Sequence, residues 1–300
     1  MAQNFLTIDI GGTYIKHALV NEKFELSQRR KIKTPRDKES LINAIIGITS
    51  EQENLDGVSI CCPGKVTTDG VIYYGGMLTF MHETPLAQIV SEKLAIPCTV
   101  INDGKAAALA EHAMGNLKGI SNGIAMILGS GVGGGLIINN QLFMGHNSQA
   151  GEFSFMIKDE FAKPLLKNTV GAELSAVNFV QSCATILGLE DLDDGQKVFE
   201  EIAKGENTVL LEIFRKYCRK VAALILNLQA VYDNEKLVIG GGVSAQDILI
   251  DEILTQYHNI LDEMEIIGEM IKPLKIERCA FSNDANLLGA YAYYYTKCDK

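Results

Sequence analysis

The residues best suited to chemistry form a short stretch near the N-terminus, Asp9-Ile10-Gly11-Gly12-Thr13. Apolar runs on both sides are typical of strands, so the glycine pair predicts the turn of a β-hairpin. Glycines let backbone N–H groups approach an anion, and the hydroxyl of Thr13 and the charge of Lys16 suit phosphate. A carboxylate beside phosphate needs a hard cation between them. The stretch therefore predicts a site for nucleotide phosphates and Mg²⁺ that includes Asp9, with an ordinary tight hairpin as the alternative.

Two later segments repeat this combination of strand and glycine turn. The strand predicted over 124–128 leads into Gly129-Ser130-Gly131-Val132-Gly133-Gly134-Gly135 and then into a second strand. Another short strand leads into Gly240-Gly241-Gly242-Val243 and a helix, an arrangement that suits a nucleotide. The first of these segments has the same design as residues 5–20, which favours two related halves facing one ligand over coincidence.

A pair of polar residues, Asn102-Asp103, ends a further apolar strand and directly precedes an alanine-rich helix. A carboxylate at such a junction is rigidly held and can serve as a general base for a hydroxyl. Taken alone, however, Asp103 is by default interpreted as a simple helix N-cap.

Length and composition limit the class of protein. Three hundred residues indicate two domains or one large α/β unit, and a net charge of −10 argues against a nucleic-acid-binding surface. The one basic cluster, Arg29-Arg30-Lys31-x-Lys33, is interpreted as a solvated strand edge. Seven cysteines without a CxxC pair favour a reducing compartment. Neither a signal peptide nor a membrane-spanning run is evident, so we expect a cytoplasmic protein that binds no membrane.

These motifs, taken together and in this order, resemble the ROK family of sugar kinases (repressors, open reading frames, kinases), within the actin/hexokinase/Hsp70-like ATPases. The resemblance covers nearly the whole chain. The matching motifs are Asp9-Ile10-Gly11-Gly12-Thr13, Ile60-Cys61-Cys62-Pro63-Gly64, Ile101-Asn102-Asp103-Gly104-Lys105-Ala106-Ala107-Ala108, Gly129-Ser130-Gly131-Val132-Gly133-Gly134-Gly135, Ala150-Gly151-Glu152, Ile239-Gly240-Gly241-Gly242-Val243 and Asn283-Asp284-Ala285-Asn286-Leu287-Leu288-Gly289-Ala290.

The resemblance implies an α/β, two-lobed actin-like ATPase (ribonuclease H-like) fold, with duplicated β-sheet cores and a cleft for nucleotide and sugar between the lobes. It places the N-terminal lobe at 1–117 and the C-terminal lobe at 118–285. A C-terminal helix of about 286–300 is expected to pack back on the N-terminal lobe.

The resemblance also implies roles for individual residues, with ATP and Mg²⁺ as cofactors. Asp103 is expected to be the catalytic base, which mainly orients the sugar hydroxyl and takes its proton late. Asp9 is expected to hold Mg²⁺, through water. The sugar is assigned to Gly76, Asn102, Asp103 and Glu152. The phosphates are assigned to Gly11, Gly12, Thr13, Lys16, Ser130 and Gly131, and the adenosine to Gly240, Gly241 and Gly242.

Two segments depart from the family pattern. Many members carry Glu-x-Gly-His and then a cysteine-rich zinc loop, whereas Glu152-Phe153-Ser154-Phe155 lacks the histidine and no cysteine lies between Cys98 and Cys183. We therefore expect no zinc site, and Phe155 indicates a more apolar wall. The segment Gly75-Gly76-Met77-Leu78-Thr79-Phe80 lacks the asparagine–leucine pair of many relatives. Glucose, fructose, N-acetylmannosamine and β-linked disaccharides such as cellobiose are all compatible substrates.

The leading hypothesis is an ATP-dependent kinase, resembling glucokinases or β-glucoside kinases of carbohydrate metabolism, that phosphorylates a primary hydroxyl such as O6. We expect a homodimer, as is usual among relatives. One alternative is a sugar-sensing repressor, which needs a helix-turn-helix segment ahead of Phe5, where the first hairpin already begins. Another is a family regulator that binds sugar without catalysis, which the presence of Asp9, Asp103 and both glycine loops argues against.

Overall fold

The computed structural model describes residues 4–282 and 284–298, so Asn283 of the last motif lies outside the described residues. The chain forms two compact units. Unit 1 comprises Met1–Lys118, Leu142–Ala150 and Asn283–Lys300, and unit 2 comprises Gly119–Gln141 and Gly151–Ser282. The segment 142–150 thus groups with unit 1, whereas the sequence-based division assigns it to the C-terminal lobe.

Unit 1 contains a five-stranded sheet with the order β3-β2-β1-β4-β8 and a small three-stranded sheet of β5, β6 and β7. The strands are β1 (Phe5–Ile10), β2 (Tyr14–Val20), β3 (Leu26–Lys33), β4 (Gly57–Cys62), β5 (Lys65–Val66), β6 (Val71–Tyr73), β7 (Thr84–Pro85) and β8 (Cys98–Asn102). The strands β1, β2 and β3 are antiparallel neighbours, and β1, β4 and β8 run parallel. All residues of β1 are buried, as expected for a strand covered on both faces.

Helices cover both faces of this sheet. They are α1 (Lys38–Ser50), α2 (Leu86–Leu94) and α3 (Asp103–Met114), with a 3₁₀ turn at Thr79–Met81. One face packs on α1 and α2 through residues such as Ile60 and Ile45, and the other packs on α3 through residues such as Cys61 and Leu109. Successive residues of β4 therefore enter different cores, which requires an unbroken apolar strand.

Unit 2 repeats the same sheet design, with the order β11-β10-β9-β12-β13. The strands are β9 (Gly123–Leu128), β10 (Val132–Ile138), β11 (Gln141–Phe143), β12 (Lys236–Gly240) and β13 (Lys275–Arg278). The first hairpin is antiparallel and the crossover strands are parallel to β9, as in unit 1. The duplication that the two glycine loops predict is confirmed.

The helices of unit 2 pack around one core that includes Phe179, Phe199 and Phe214. They are α4 (Val170–Glu173), α5 (Ala176–Leu187), α6 (Gly195–Lys204), α7 (Thr208–Tyr232), α8 (Asp247–Glu263) and α9 (Ile266–Met270), with 3₁₀ turns at Phe153–Phe155, Leu165–Asn168 and Gly242–Ala245. Within the described residues, Val170–Leu187 is long and apolar enough to qualify as a candidate membrane span. It is divided between α4 and α5 at Ser175, whose side chain caps α5, and Phe179 joins the core.

The last helix, α10 (Ala285–Cys298), belongs to unit 1 and packs on α3, β1 and β4. Its Gly289 lies so close to α3 that an added Cβ would collide with the carbonyl oxygen of Ala106. The rings of Tyr291 and Tyr294 pack on Phe5, with ring centroids 4.9 and 5.1 Å away. The end of the chain is thereby part of the same core as its first strand.

The contact at Gly289 gives a stability test. We expect Gly289→Ala to lower the free energy of unfolding by about 1–3 kcal/mol, because the methyl group has no room against the α3 backbone. Gly47 of α1 is the matched control, since nothing lies within 4 Å of the position that a Cβ would occupy there. Gly47→Ala should raise the free energy of unfolding by about 0.5–1 kcal/mol. Urea unfolding measures the free energy of unfolding of both variants. Equal changes in the two variants would contradict the close contact at Gly289.

Candidate functional site

The carboxyl ends of β1, β4 and β8 meet at one edge of the unit 1 sheet. In the strand register, Asp9 is paired with Cys61, and Cys61 with Ile101. Parallel neighbours are separated by about 4.8 Å, so only two strand spacings separate β1 from β8. Asp9 and the Asn102-Asp103 pair therefore lie on the same edge.

Asp9 is buried, with 8% of its surface exposed. Its Oδ1 atom accepts hydrogen bonds from Asn286 Nδ2 (3.1 Å) and from the Cys61 thiol (3.4 Å). Burial raises the pKa of the Asp9 carboxyl, while these two hydrogen bonds and the charge of Lys16, its register partner on β2, lower that pKa. A bound cation would offset the remaining cost of burying the charge.

The donor set around Asp9 suits Mg²⁺. Both hydrogen bonds that Asp9 accepts end on Oδ1, and Mg²⁺ is commonly held by one or two carboxylates together with substrate phosphates and water. Among the residues that the structure describes, no group of three or more His, Cys, Asp or Glu side chains could hold a metal by itself. A metal at Asp9 would thus arrive with a phosphate ligand. The expected lack of zinc stays a prediction.

The β1–β2 turn is held by Thr34. Its hydroxyl donates to Gly11 O (2.7 Å), its N–H donates to Thr13 O (3.0 Å), and Gly11 N–H closes the turn on Tyr14 O (3.0 Å). Within the described residues, the N–H groups of Gly12 and Thr13 donate to no backbone acceptor. The predicted hairpin is therefore confirmed, and these two donors can bind an anion.

Asn102 is the N-cap of α3, and Asp103 is the first residue of the helix. Asn102 Oδ1 accepts from Lys105 N–H (3.1 Å), and Asn102 Nδ2 donates to Asp103 Oδ1 (3.0 Å). Asp103 Oδ1 also accepts from Gly104 N–H (2.8 Å). The alternative that Asp103 is merely the helix N-cap is wrong, because Asn102 has that position. The half-buried Asp103 carboxylate lies where the helix dipole favours negative charge.

A loop after β6 lies beside this pair. Asn102 Nδ2 donates a second hydrogen bond to Gly64 O (2.9 Å). Gly64 has φ +91°, and a Cβ there would be 2.7 Å from Gly75 Cα, while a Cβ at Gly76 would be 3.2 Å from Pro63. Unit 1 therefore brings Gly76, Asn102 and Asp103 together.

The second glycine turn lies in unit 2, between β9 and β10. Ser154 holds it, since its Oγ accepts from Val132 N–H (2.8 Å) and donates to Val132 O (3.1 Å). A Cβ at Gly131 would be 2.6 Å from this oxygen. Ser130 is exposed at the tip, and the half-buried Glu152 precedes Ser154 by two residues.

The third glycine turn lies against the end of β9. Gly241 has φ +101°, and an added Cβ would collide with the carbonyl oxygen of Leu128. Because β12 and β9 are parallel neighbours, Gly240 at the end of β12, with Gly241 and Gly242 after it, lies at the same sheet edge as Ser130 and Gly131. Unit 2 thus brings together the predicted phosphate and adenosine residues that it contains.

Three residues that hold Asp9 or the glycine turns in place were not assigned a role from the sequence. Asn286 belongs to the last matching motif, but that motif does not indicate its contact with Asp9, 277 residues away in the sequence. Thr34 lies in none of the motifs. Ser154 did leave a signal, because it occupies the position of the glycine in the Glu-x-Gly-His pattern.

Two units of the same strand order, each with a glycine turn between its first antiparallel strands, define an actin-like ATPase fold, as the sequence predicts. The chain belongs to the ROK family, whose family model matches residues 5–297.

Curated relatives and solved structures agree with this membership. A glucokinase of Streptomyces coelicolor is 27% identical, with 94% of this chain and 95% of the relative covered. A β-glucoside kinase of Listeria monocytogenes is 24% identical, with 95% of each covered.

A ROK family protein from Streptococcus pneumoniae in complex with sucrose superposes with a TM-score of 0.85 at 26% identity, covering 99% of both chains. A ROK glucokinase from Streptomyces griseus in complex with glucose and AMPPNP has a TM-score of 0.78 at 26% identity, covering 96% of this chain and 97% of the other. The prediction of an ATP-dependent sugar kinase is confirmed.

The role of Ser154 can be tested by kinetics. We expect Ser154→Ala to raise the KM for ATP by about threefold to tenfold, because Val132 loses both hydrogen bonds that hold the glycine turn. Ser182→Ala is the control, since Ser182 is exposed and its hydroxyl donates within its own helix, to Asn178 O. An unchanged KM for ATP in the folded Ser154→Ala enzyme would show that the turn does not need this side chain.

Proposed function

We propose that this sugar kinase transfers the γ-phosphate of ATP to a primary hydroxyl, O6, of a hexose or a β-glucoside. The observation that supports it best is the common edge of β1, β4 and β8. That edge carries a turn with donors for phosphate, a carboxylate suited to Mg²⁺ and the Asn102-Asp103 pair. A phosphoryl donor and an acceptor hydroxyl need these three features within reach of one another.

We assign Asp103 as the residue that orients the acceptor hydroxyl. In the proposed reaction a bond forms between O6 and the γ-phosphorus, and the bond from that phosphorus to the bridging oxygen of ADP breaks. The hydroxyl proton passes to Asp103 late, because a sugar hydroxyl is far less acidic than a carboxylic acid. Hydrogen bonds from Asn102 and Gly104 to Asp103 Oδ1 support this role, since they fix the carboxylate.

The donor side is assigned to the glycine turns. We assign the phosphates to Gly11, Gly12, Thr13, Lys16, Ser130 and Gly131, and the adenosine to Gly240, Gly241 and Gly242. Asp9 would hold Mg²⁺ through water, and the bound ion would neutralise charge that develops on the phosphates. Two observations support the phosphate assignment. The N–H groups of Gly12 and Thr13 donate to no backbone acceptor among the described residues, and Lys16 is paired with Asp9 in the strand register.

The acceptor side is assigned to Gly76, Asn102, Asp103 and Glu152. A β-glucoside or other disaccharide is favoured as an acceptor on two grounds, the names of relatives and the departures near Gly76 and Phe155. The relatives include a β-glucoside kinase, and the pneumococcal structure contains sucrose. Phe155 is exposed, with 67% of its surface accessible.

The cellular context is also part of the proposal. We assign a cytoplasmic homodimer that binds neither nucleic acid nor membrane, with an N-terminal lobe at 1–117 and a C-terminal lobe at 118–285. The net charge of −10 argues against nucleic-acid binding, and the free thiols favour a cytoplasmic location. A purely regulatory protein would not need a fixed carboxylate at Asp103 together with a buried one at Asp9.

The catalytic role is tested with Asp103→Asn. We expect kcat to fall by about 10²–10⁴-fold with sugar binding retained, because the amide keeps the shape of the side chain but cannot accept the proton. The assay couples ADP release to a panel of monosaccharides and β-linked disaccharides, and sugar binding is followed by calorimetry. The control is Asp194→Asn, another carboxylate at a helix start, whose Oδ1 accepts from Lys197 N–H (2.9 Å). Turnover at the wild-type rate in Asp103→Asn would exclude Asp103 as the base.

The metal assignment is tested with Asp9→Asn. We expect the Mg²⁺ concentration for half-maximal turnover to rise by about tenfold or more, because a neutral amide attracts the hydrated cation much less than a carboxylate does. The amide oxygen can still accept the hydrogen bond from Asn286, so the fold should be kept. Turnover is titrated with Mg²⁺ at fixed ATP, and an unchanged curve would rule out Asp9 as the metal-binding residue.

A further inference from the structure

Tyr74 is an unusual aromatic residue in unit 1. It follows β6 with φ 49°, a left-handed backbone conformation that is unfavourable for a bulky side chain, and 73% of its surface is exposed. A large ring so exposed gains little from burial, so its conformation is not explained by the core.

The Tyr74 ring is nevertheless held in place on one face. It stacks on the imidazole of His82, with ring centroids 4.4 Å apart and an interplanar angle of 29°. The N–H of Tyr74 donates to His82 Nδ1 (3.3 Å), and the ring of Tyr73 meets the same imidazole edge-on at 5.8 Å. His82 therefore supports one face of Tyr74, while most of the residue remains exposed to solvent.

The position of Tyr74 connects it to the acceptor residues. Its carbonyl oxygen lies against Gly64, and the carbonyl of Gly64 accepts the hydrogen bond from Asn102. Two residues further on is Gly76, which is assigned to the sugar, and then Met77, which lies over Gly12 of the phosphate turn. The Tyr74 ring is thus at the outer end of a loop whose inner part borders the proposed reaction centre.

A flat aromatic face matches a particular part of a carbohydrate. In β-linked glucose units the hydroxyl groups are equatorial, so each pyranose ring presents C–H groups on its two faces and can stack on an aromatic ring. The reacting ring must lie with its primary hydroxyl at Asp103. A ring joined to it by a β-glycosidic bond extends away from the reacting hydroxyl and can reach an outer platform.

We propose that Tyr74, supported by His82, is an outer subsite that stacks on the second sugar ring of a β-linked disaccharide acceptor. This inference rests on the proposed function and assigns its substrate class to glucosides rather than to free hexoses alone.

Kinetics test the subsite with two acceptors, cellobiose and glucose. We expect Tyr74→Ala to lower kcat/KM for cellobiose by about tenfold and to leave kcat/KM for glucose within about twofold. The substitution removes a stacking contact with the second sugar ring, which cellobiose has and glucose lacks. Tyr74→Phe should behave like wild type, since the ring and not the hydroxyl makes the contact. Tyr295→Ala is the matched control, an exposed tyrosine of α10 with 52% of its surface accessible.

Fluorescence gives a readout that does not depend on phosphoryl transfer. The chain contains no tryptophan, so Tyr74→Trp introduces a single reporter at the platform. In the absence of ATP, we expect cellobiose to shift the emission of this reporter to shorter wavelength and glucose to leave it unchanged, because only the disaccharide covers the indole.

The possible outcomes distinguish a failure of the subsite proposal from a failure of the proposed kinase activity. If wild type phosphorylates glucose but not cellobiose, or Tyr74→Ala weakens both sugars equally, the subsite is wrong and the kinase assignment stands. An emission that does not respond to saturating cellobiose also overturns the subsite. If wild type phosphorylates no sugar of the panel, the proposed function fails and the subsite fails with it.

Discussion

The side chain of Asn102 holds together the parts of unit 1 on which the rest of the site depends. Its oxygen caps α3 through Lys105 N–H, and its nitrogen binds both Asp103 and the carbonyl of Gly64. An N-cap alone contributes about 1 kcal/mol, and Asn102 is buried, so the loss of one partner would leave a buried polar atom unsatisfied. The amide of Asn102 therefore links the helix start, the proposed base and the loop beside the sugar residues, while Gly104 N–H gives the base a second hydrogen bond.

The glycine-rich turns of the two units are held by different side chains. A glycine-rich turn is flexible and must be ordered before it can present its N–H groups to an anion. In unit 1 the hydroxyl and N–H of Thr34 bind two carbonyls of the turn, and in unit 2 the hydroxyl of Ser154 binds Val132 on both sides. The duplicated sheets thus share the turn but not the residue that orders it.

Much of this arrangement could be predicted from local patterns. The Gly11-Gly12 hairpin, the repeat at Gly129–Gly135 and the helix after Asn102 all depend on chemistry within a few residues, namely turn residues, apolar alternation and capping. The choice between Asn102 and Asp103 as the N-cap could not be predicted. Both side chains cap helices well, and the additional hydrogen bond that holds the Asn102 side chain ends on Gly64 O, 38 positions away in the sequence.

Tertiary contacts account for the features of the site that the sequence did not reveal. Asn286 meets Asp9 only because α10 packs on β1, and the stack of Tyr74 on His82 requires the turn between them to close. Asn286 lies in a motif that matches the family pattern, but neither that motif nor the apolar period of the chain specifies the two contacts, so neither could be derived from a single chain. The common edge of β1, β4 and β8 likewise depends on strand order, which apolar runs alone do not specify.

The placement of α10 has a consequence for biosynthesis. A ribosome makes the N-terminal residues first, yet the first strand of unit 1 obtains the Asn286 partner of Asp9 and the aromatic neighbours of Phe5 from α10, which follows all of unit 2 in the sequence. The core of unit 1 is therefore completed only after α10 has been made, whereas the residues of unit 2 have all emerged before that helix. A nascent polypeptide interrupted before residue 285 would lack the means to finish the fold that its own opening residues began.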